Sequence, residues 1–486
     1  MNRSDSKPAL DEMLSLKESG KDLSEYTSQM TRERNSRTLS LRRMNRPTIS
    51  GTLGLNLSGI SAKKSHKLDL PPKNAVSTEE SIVAFQSNNP TIVIDYCRKI
   101  VTAGSESRMN ISGLLKDEDF IKETVHLLSN EFPNSVIIGV LELISYLFPL
   151  SGDKKNIYID EDLCFSFYNF LGSDDIDVVK ATMHLIGTIS SSSTYARDSI
   201  LNFEFYENLC TIASSSNDES VVSLACESLR LVFSQGDEID YQILSNAVSM
   251  LVPLLDLGIV SAVQSIIAAM TEMSCKMTTL VITFGSLGIF PRAVQFLSVP
   301  ELVGVTLKLV GNLSNGQPSH VKSMIDCGLF EILIELIHTD YSADVFWILS
   351  NLIESIGSIV IPRFDVQFIS EVINIFNQNS TEVKKESSFF LSTLILFLEV
   401  DSIHSLVSIE IIDILVEMIG CGHNMVIIRC IDSIVRIIHL LQIESQLDDF
   451  ISMIDQTDLE KRLKELLYGE KNVISDRAEY LLSIIE

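Results

Sequence analysis

A short pattern occurs twice in this chain at a distance typical of stacked helical repeats. GNLSNG spans residues 311–316 and FWILSNL spans residues 346–352, which places Asn312 about forty residues before Asn351. Trp347 precedes Asn351 by four residues, and the two side chains would therefore share one face of a helix. A helix face that returns after this interval predicts a stack of helical repeats with a row of asparagines along one surface.

Helix-breaking glycines recur at related distances along the chain. The intervals between successive members of the set Gly104, Gly152, Gly236, Gly316 and Gly357 are close to one or two times a unit of about forty residues. Each glycine follows a long apolar stretch, and two shorter helical patterns come after it. A three-helix unit of about forty residues has the length of an armadillo repeat. We count about nine units between residues 88 and 468, with a final helix pair to residue 486, and expect an all-α, right-handed superhelical solenoid.

A row of asparagines beside a tryptophan is suited to holding an extended peptide. A carboxamide has one acceptor and two donors, so it can pair with both the N–H and the C=O of a peptide backbone. The indole of Trp347 would offer a flat surface to a Lys or Arg side chain. The sequence leaves an alternative open, in which Trp347 is a core residue and Asn351 and Asn312 bond to carbonyls between repeats.

The N-terminal segment, residues 1–74, differs from the rest of the chain in charge. It contains fourteen Lys or Arg and eight Asp or Glu, whereas residues 75–486 contain twenty-four and fifty-six. We therefore expect a basic, largely disordered tail at residues 1–74, joined to an acidic solenoid at residues 75–486. The basic residues of the tail form two clusters: Arg42, Arg43 and Arg46, and then Lys63, Lys64 and Lys67.

Composition and motifs argue against several classes of function. An acidic solenoid would repel phosphates, so we expect no direct binding of nucleic acid. The longest apolar run, residues 389–398, is too short to cross a bilayer, so we expect no membrane insertion. The eight cysteines contain no CxxC pair, and Cys421, His423 and Cys430 lack the spacing of a metal site. Nucleotide-binding, zinc-protease and serine-hydrolase motifs are absent from the sequence, so we expect neither an enzyme nor a cofactor.

Several stretches resemble one family, the importin α adaptors of nuclear import. VTLKLVGNLSNG (305–316), DVFWILSNL (344–352) and VKKESSFFLSTL (383–394) are similar to repeats of that family, and residues 458–486 are similar to its closing helices. In the tail, SRTLSLRRMNR (36–46) resembles the importin-β-binding helix, and KKSHK (63–67) falls where an autoinhibitory basic cluster lies. The resemblance is specific in the tail and from residue 305 to 486, and only architectural from residue 88 to 299.

The resemblance implies roles for individual residues. Phe389 and Thr393 take the places of a second Trp and Asn. The implied peptide-binding groove consists of Lys308, Asn312, Trp347, Asn351, Glu386, Phe389 and Thr393. The implied importin-β-binding segment covers about residues 28–67, with contacts from Arg37, Leu41, Arg42, Arg43 and Arg46, and its autoinhibitory cluster is Lys63, Lys64 and Lys67. The early groove positions of the family hold Glu142/Tyr146, His184/Thr188 and Glu227/Leu231 here, so the later repeats preserve the motif better.

The implied function is that of a nuclear-import adaptor shuttling between cytoplasm and nucleus. Such an adaptor binds the basic nuclear localisation signals of cargo proteins in its groove and importin β through its tail, and a nuclear export receptor is a further candidate partner. The alternative is an armadillo scaffold that binds other extended peptides and is not dedicated to nuclear transport. The basic tail favours the adaptor, because a scaffold would not need a segment for importin β to wrap.

Overall fold

The computed structural model describes residues 75–485, apart from short gaps at 130, 160, 235–238, 278, 400–401, 404–405, 444–446 and 469–471. The predicted tail lies outside the described residues. Within the described residues the backbone forms helices and turns without any β-strand, which confirms the all-α prediction.

By packing, the chain divides into two compact units. The described part of the N-terminal unit is residues 75–289 and 299–309, and that of the C-terminal unit is residues 290–298 and 310–485. The first α-helices in chain order are α1 Thr78–Gln86, α2 Pro90–Glu106, α3 Glu118–His126, α4 Asn134–Leu147, α5 Glu161–Leu171, α6 Ile176–Ser192, α7 Thr194–Asn202, α8 Phe205–Ser215, α9 Glu219–Ser234, α10 Tyr241–Leu251, α11 Val260–Lys276 and α12 Leu280–Ser286.

The remaining α-helices are α13 Ile289–Phe296, α14 Val303–Leu313, α15 Pro318–Asp326, α16 Leu329–Leu336, α17 Ser342–Val360, α18 Val366–Gln378, α19 Thr381–Phe397, α20 Ile409–Ile419, α21 Asn424–Ile443, α22 Leu447–Ile454, α23 Leu459–Leu466 and α24 Val473–Ile485. Short 3-10 helices lie at Arg108–Ile111, Leu114–Lys116, Leu127–Ser129, Phe148–Leu150, Gly152–Tyr158, Val252–Asp256 and Ile361–Arg363.

The final helix of each repeat returns at the predicted period. In the described chain these third helices are α2, α4, α6, α9, α11, α14, α17, α19, α21 and α24. Their first residues follow one another at intervals of roughly forty residues, the period of an armadillo repeat. Shorter helical segments separate them and complete the three-helix unit. This arrangement confirms an armadillo-type solenoid.

Local sequence signals explain where the third helices begin. Asn89 caps α2, since its Oδ1 accepts hydrogen bonds from the backbone N–H groups of Thr91 and Ile92 at 3.1 and 3.4 Å, and Pro90 occupies the first helical position. Asp175 caps α6 in the same way, at 3.0 Å from the N–H of Asp177. These caps satisfy N–H groups that have no partner within the helix.

The third helices stack on one another within each unit. In the N-terminal unit α6 packs between α4 and α9, and α9 also packs against α11; in the C-terminal unit α19 packs between α17 and α21. Buried serines join neighbouring third helices: Ser228 donates to the carbonyl of Met183, and Ser433 donates to the carbonyl of Ser392, both at 2.9 Å. The stack therefore satisfies polar groups between repeats as well as burying apolar side chains.

One segment of the described chain is long and apolar enough to cross a membrane by length and composition alone. It comprises Ser342–Arg363, with a mean hydropathy of 1.6, so the expectation that every apolar run is too short was wrong on this criterion. Of this apolar stretch, 61% is buried inside the structure. Its helix α17 packs against α15, α16 and α19, as expected for a core helix of the stack.

Candidate peptide-binding surface

The indole of Trp347 packs against the backbone of the preceding third helix. Trp347 is only 4% exposed. A Cβ atom placed on Gly311 of α14 would lie 1.8 Å from Cζ3 of the indole, so the ring occupies the space left by the missing side chain. The prediction of an exposed aromatic surface at Trp347 was therefore wrong, and the alternative of a core tryptophan describes its packing.

Asn351 forms hydrogen bonds within the protein. Its side chain is 2% exposed, and Nδ2 donates to the carbonyl of Gly311 at 3.3 Å and to Oγ of Ser314 at 3.1 Å. These acceptors lie at the C-terminal end of α14, where the Gly311 carbonyl also accepts a hydrogen bond from Oγ of Ser314 at 2.7 Å. Asn351 therefore joins two repeats, which is the second alternative that the sequence left open. Asn312 and Lys308 are half-buried.

The predicted groove residues of α19 are also buried. Glu386 is 8% exposed and its Oε1 lies 3.8 Å from Nζ of Lys385. Phe389 is buried, and Thr393 is fully buried, with its Oγ1 lacking a hydrogen-bond partner among the described residues. The structure thus brings Trp347 and Asn351 of α17 and these residues of α19 into neighbouring helices, but places them in the interior rather than on an open groove.

An arginine that sequence reasoning missed covers Phe389. The guanidinium carbon of Arg429, on α21, lies 5.0 Å from the ring centroid of Phe389, and the guanidinium forms an ion pair with Glu354 of α17. The side chains of Arg429 and Glu354 are only 2% and 7% exposed. The available signal was a lone arginine in the apolar stretch NMVIIRCIDSIV, one repeat after Glu386.

Charged residues continue the same register on α21. Counting from the helix starts, Asp432 and Arg436 of α21 correspond to Phe389 and Thr393 of α19. Oδ1 of Asp432 lies 2.8 Å from Nε of Arg477 on α24. Arg436 donates to the carbonyl of Leu398 at 3.1 Å, and burial lowers its pKa from the usual value. The carboxylate of Asp432 and the guanidinium groups of Arg477 and Arg436 therefore all bond to other groups of the protein.

The early groove positions are more accessible than the late ones. Glu142 and His184 are exposed, and Thr188 and Glu227 are half-buried. Glu227 forms an ion pair with Arg230 at 2.5 Å, which raises the pKa of Arg230. The N-terminal unit therefore presents both acidic and basic groups on its third helices.

Two further early positions pack as Trp347 does. A Cβ atom on Gly104 would lie 2.7 Å from the hydroxyl oxygen of Tyr146, and one on Gly187 would lie 2.9 Å from Cδ1 of Leu231. In each case a large side chain of one third helix fills the space beside a glycine of the preceding third helix. Several positions that would line a groove therefore hold neighbouring repeats together.

No group of three or more His, Cys, Asp or Glu side chains is arranged for metal binding in the described part of the chain. Cys421 is half-buried and His423 is exposed, whereas Cys430 is fully buried. Burial raises the pKa of the Cys430 thiol well above its usual value, so the thiol is held in its neutral form.

The predicted contacts in the tail lie outside the described residues. They concern Arg37, Leu41, Arg42, Arg43 and Arg46 of the importin-β-binding segment and Lys63, Lys64 and Lys67 of the autoinhibitory cluster, and they stay predictions.

Comparison with known proteins shows the fold. No protein-family model and no curated protein matches this chain. The crystal structure of an engineered protein aligns with a TM-score of 0.68 and 17% identity, covering 84% of this chain and 98% of that one. A designed armadillo repeat protein aligns with a TM-score of 0.42 and 14% identity, covering 48% of this chain and 99% of that one. The alignment with the engineered protein shows that the two chains share a fold, and the helix triplets with their period of roughly forty residues are those of an armadillo-type solenoid.

Proposed function

We propose that this chain is a divergent nuclear-import adaptor, whose solenoid binds basic nuclear localisation signals and whose tail binds importin β. The main support is the division of charge, since a tail of net charge +6 precedes a solenoid of net charge −32. A long stack of repeats provides an extended surface for a peptide, and its excess of carboxylates attracts a basic one.

The tail supplies the second half of this proposal. Residues 31–46 contain six arginines and one acid, which is Glu33, and would form a helix when an acidic receptor binds them. Charge reversal in the double variant Arg42→Glu and Arg43→Glu should abolish retention of importin β at physiological salt. A pull-down with full-length protein, this double variant and residues 75–486 alone tests it; equal retention of importin β by all three proteins would rule out the role.

Cargo binding is proposed on the third helices. At the late repeats, Trp347 and Asn351 would have to leave their internal contacts to hold a peptide, whereas Lys308 and Asn312 are half-buried. At the early repeats, Glu142 is exposed, so it could contact a peptide without first leaving an internal contact. Fluorescence anisotropy with a labelled basic signal peptide would distinguish the two regions.

The expected result follows from accessibility. Glu142→Ala should weaken peptide binding while leaving the unfolding midpoint close to that of the unsubstituted chain. Asn351→Ala should lower the unfolding midpoint, and any loss of peptide affinity should follow from that loss of stability. A folded Asn351→Ala protein that loses affinity while Glu142→Ala does not would place the peptide at the late repeats.

The basic cluster of the tail should compete with cargo. Lys63, Lys64 and Lys67 lie shortly before the first described residue, and a short connection gives them a high effective concentration near the acidic solenoid. Basic peptide should therefore bind residues 75–486 more tightly than full-length protein. Equal affinities would remove autoinhibition from the proposal.

A second candidate function is an armadillo scaffold for other extended segments. The burial of Trp347 and Asn351 favours it, because a solenoid that uses these residues for packing does not hold a basic signal by indole stacking. Failure of the full-length chain to retain both importin β and a basic peptide would favour the scaffold.

A further inference from the structure

We propose that Phe389 and Glu354 form a guanidinium-binding site that Arg429 of the same chain occupies. The inference rests on the proposed function only for its competing ligand, since the arginine side chains of a cargo peptide would carry the same guanidinium cation. With Arg429 in place, this part of the third-helix surface is closed to such side chains.

The geometry provides both groups that recognise a guanidinium. The plane of an aromatic ring attracts a cation, and the guanidinium carbon of Arg429 lies 5.0 Å from the ring centroid of Phe389. A carboxylate supplies the opposite charge, and Glu354 forms the ion pair. These residues come from three different third helices, α21, α19 and α17, so the stack assembles the site.

Burial distinguishes this site from an ordinary surface contact. Arg363 lies 5.0 Å from the ring centroid of Phe330 and 3.0 Å from Glu331, so the same three groups meet there. The side chains of Arg363 and Glu331 are 38% and 64% exposed, and removal of that arginine leaves an open surface. Removal of Arg429, which is 2% exposed, instead uncovers a largely buried ring and carboxylate, so a cation that replaces it would be largely desolvated.

Chemical rescue tests the proposal, with Arg363→Ala as the matched control. Arg429→Ala should unfold at a lower temperature than the unsubstituted chain, and millimolar ethylguanidinium should raise its unfolding midpoint in a saturable manner. At ten times the dissociation constant the rise should be about 1–2 °C. Ethylguanidinium should not raise the midpoint of the unsubstituted chain, of Arg363→Ala, or of the double variant Arg429→Ala, Glu354→Gln.

Failure of the proposal has a distinct signature. Absence of rescue in Arg429→Ala, or equal rescue in Arg363→Ala or in the double variant, overturns it. If the alanine variant does not fold, Arg429→Gln carries the same titration, because its shorter, uncharged side chain leaves the ring and the carboxylate uncovered. The readout needs neither importin β nor cargo, so a negative pull-down in the adaptor test leaves this result unaffected.

A peptide titration then connects the site to the proposed function. A labelled arginine-containing peptide should bind Arg429→Ala at least ten-fold more tightly than the unsubstituted chain, and the same peptide with citrulline should not. Rescue by ethylguanidinium without tighter peptide binding would overturn the statement that Arg429 closes this surface to cargo. A failed importin β pull-down together with successful rescue would count against the proposed function alone.

Discussion

The contact between Trp347 and Gly311 predicts that replacing Gly311 by alanine destabilises the protein, whereas helix propensity alone predicts that it stabilises the protein. Gly311 lies within α14, and replacing a glycine in a helix by alanine stabilises the helix by about 1 kcal/mol. In this structure the added Cβ would lie 1.8, 2.2 and 2.6 Å from three carbons of the Trp347 indole. Gly311→Ala should therefore destabilise the chain.

The magnitude follows from the two opposing terms. Normal contact between carbons requires about 3.5 Å, so the indole and its helix would have to move by roughly 1 Å or more. Overpacking a well-packed interior costs about 1–3 kcal/mol, and a rigid indole between two helices places this case at the upper end or beyond. After the propensity gain is subtracted, we expect a net loss of about 2 kcal/mol, or about 2–3 °C in the unfolding midpoint.

A matched control is available in α4. Gly139 is also a helical glycine, but a Cβ placed on it would meet no atom within 4 Å. Gly139→Ala should therefore raise stability by up to about 1 kcal/mol. Urea and thermal unfolding followed by circular dichroism would measure both variants. A Gly311→Ala protein that gains as much stability as Gly139→Ala would refute the placement of the indole against Gly311.

The remaining predictions concern hydrogen bonds and charges. Asn351→Ala should cost about 1–3 kcal/mol in urea unfolding, because its acceptors at the end of α14 lose a buried donor. Arg429→Ala should cost about 3–5 kcal/mol, whereas Arg363→Ala should cost less than about 1 kcal/mol; similar losses would contradict the difference in burial. Hydrogen bonds lower the pKa values of Asp175 and Asp218 from their usual value, so their contribution to stability is present above that usual value and is lost as the pH falls through the lowered pKa values. The double variant Asp175→Asn, Asp218→Asn should therefore lose less of its free energy of unfolding as the pH falls into the acid range. An unchanged dependence of the free energy of unfolding on pH would exclude this contribution.

The periodicity of apolar residues and breakers was enough to predict the fold. Long third helices that return at intervals of roughly forty residues agree with the unit inferred from the glycine positions. Local caps such as Asn89 before Pro90 mark a helix start that sequence signals also indicate. These features could be predicted because each depends on residues close together in the sequence.

The site could be predicted only in part, because its burial depends on residues far apart in the sequence. Spacing alone placed Trp347 and Asn351 on one face of a helix. It could not show that Gly311 brings the preceding helix close enough to bury that face, or that Arg429 reaches Phe389 and Glu354 from α21. The resemblance to importin α described residue types, whereas exposure depends on how closely successive third helices approach.

The packing of the third helices bears on how such a solenoid can bind a peptide. Side chains that fill the space between repeats, such as Trp347, contribute to stability and cannot also lie against a ligand without first leaving that space. A peptide on this surface would therefore gain less from stacking and more from the excess of carboxylates on residues 75–486. Attraction by exposed charges is screened by salt over about 8–10 Å, whereas contacts in a desolvated groove are screened much less. The salt dependence of peptide affinity is thus the property that separates recognition by surface charge from recognition by a buried aromatic clamp.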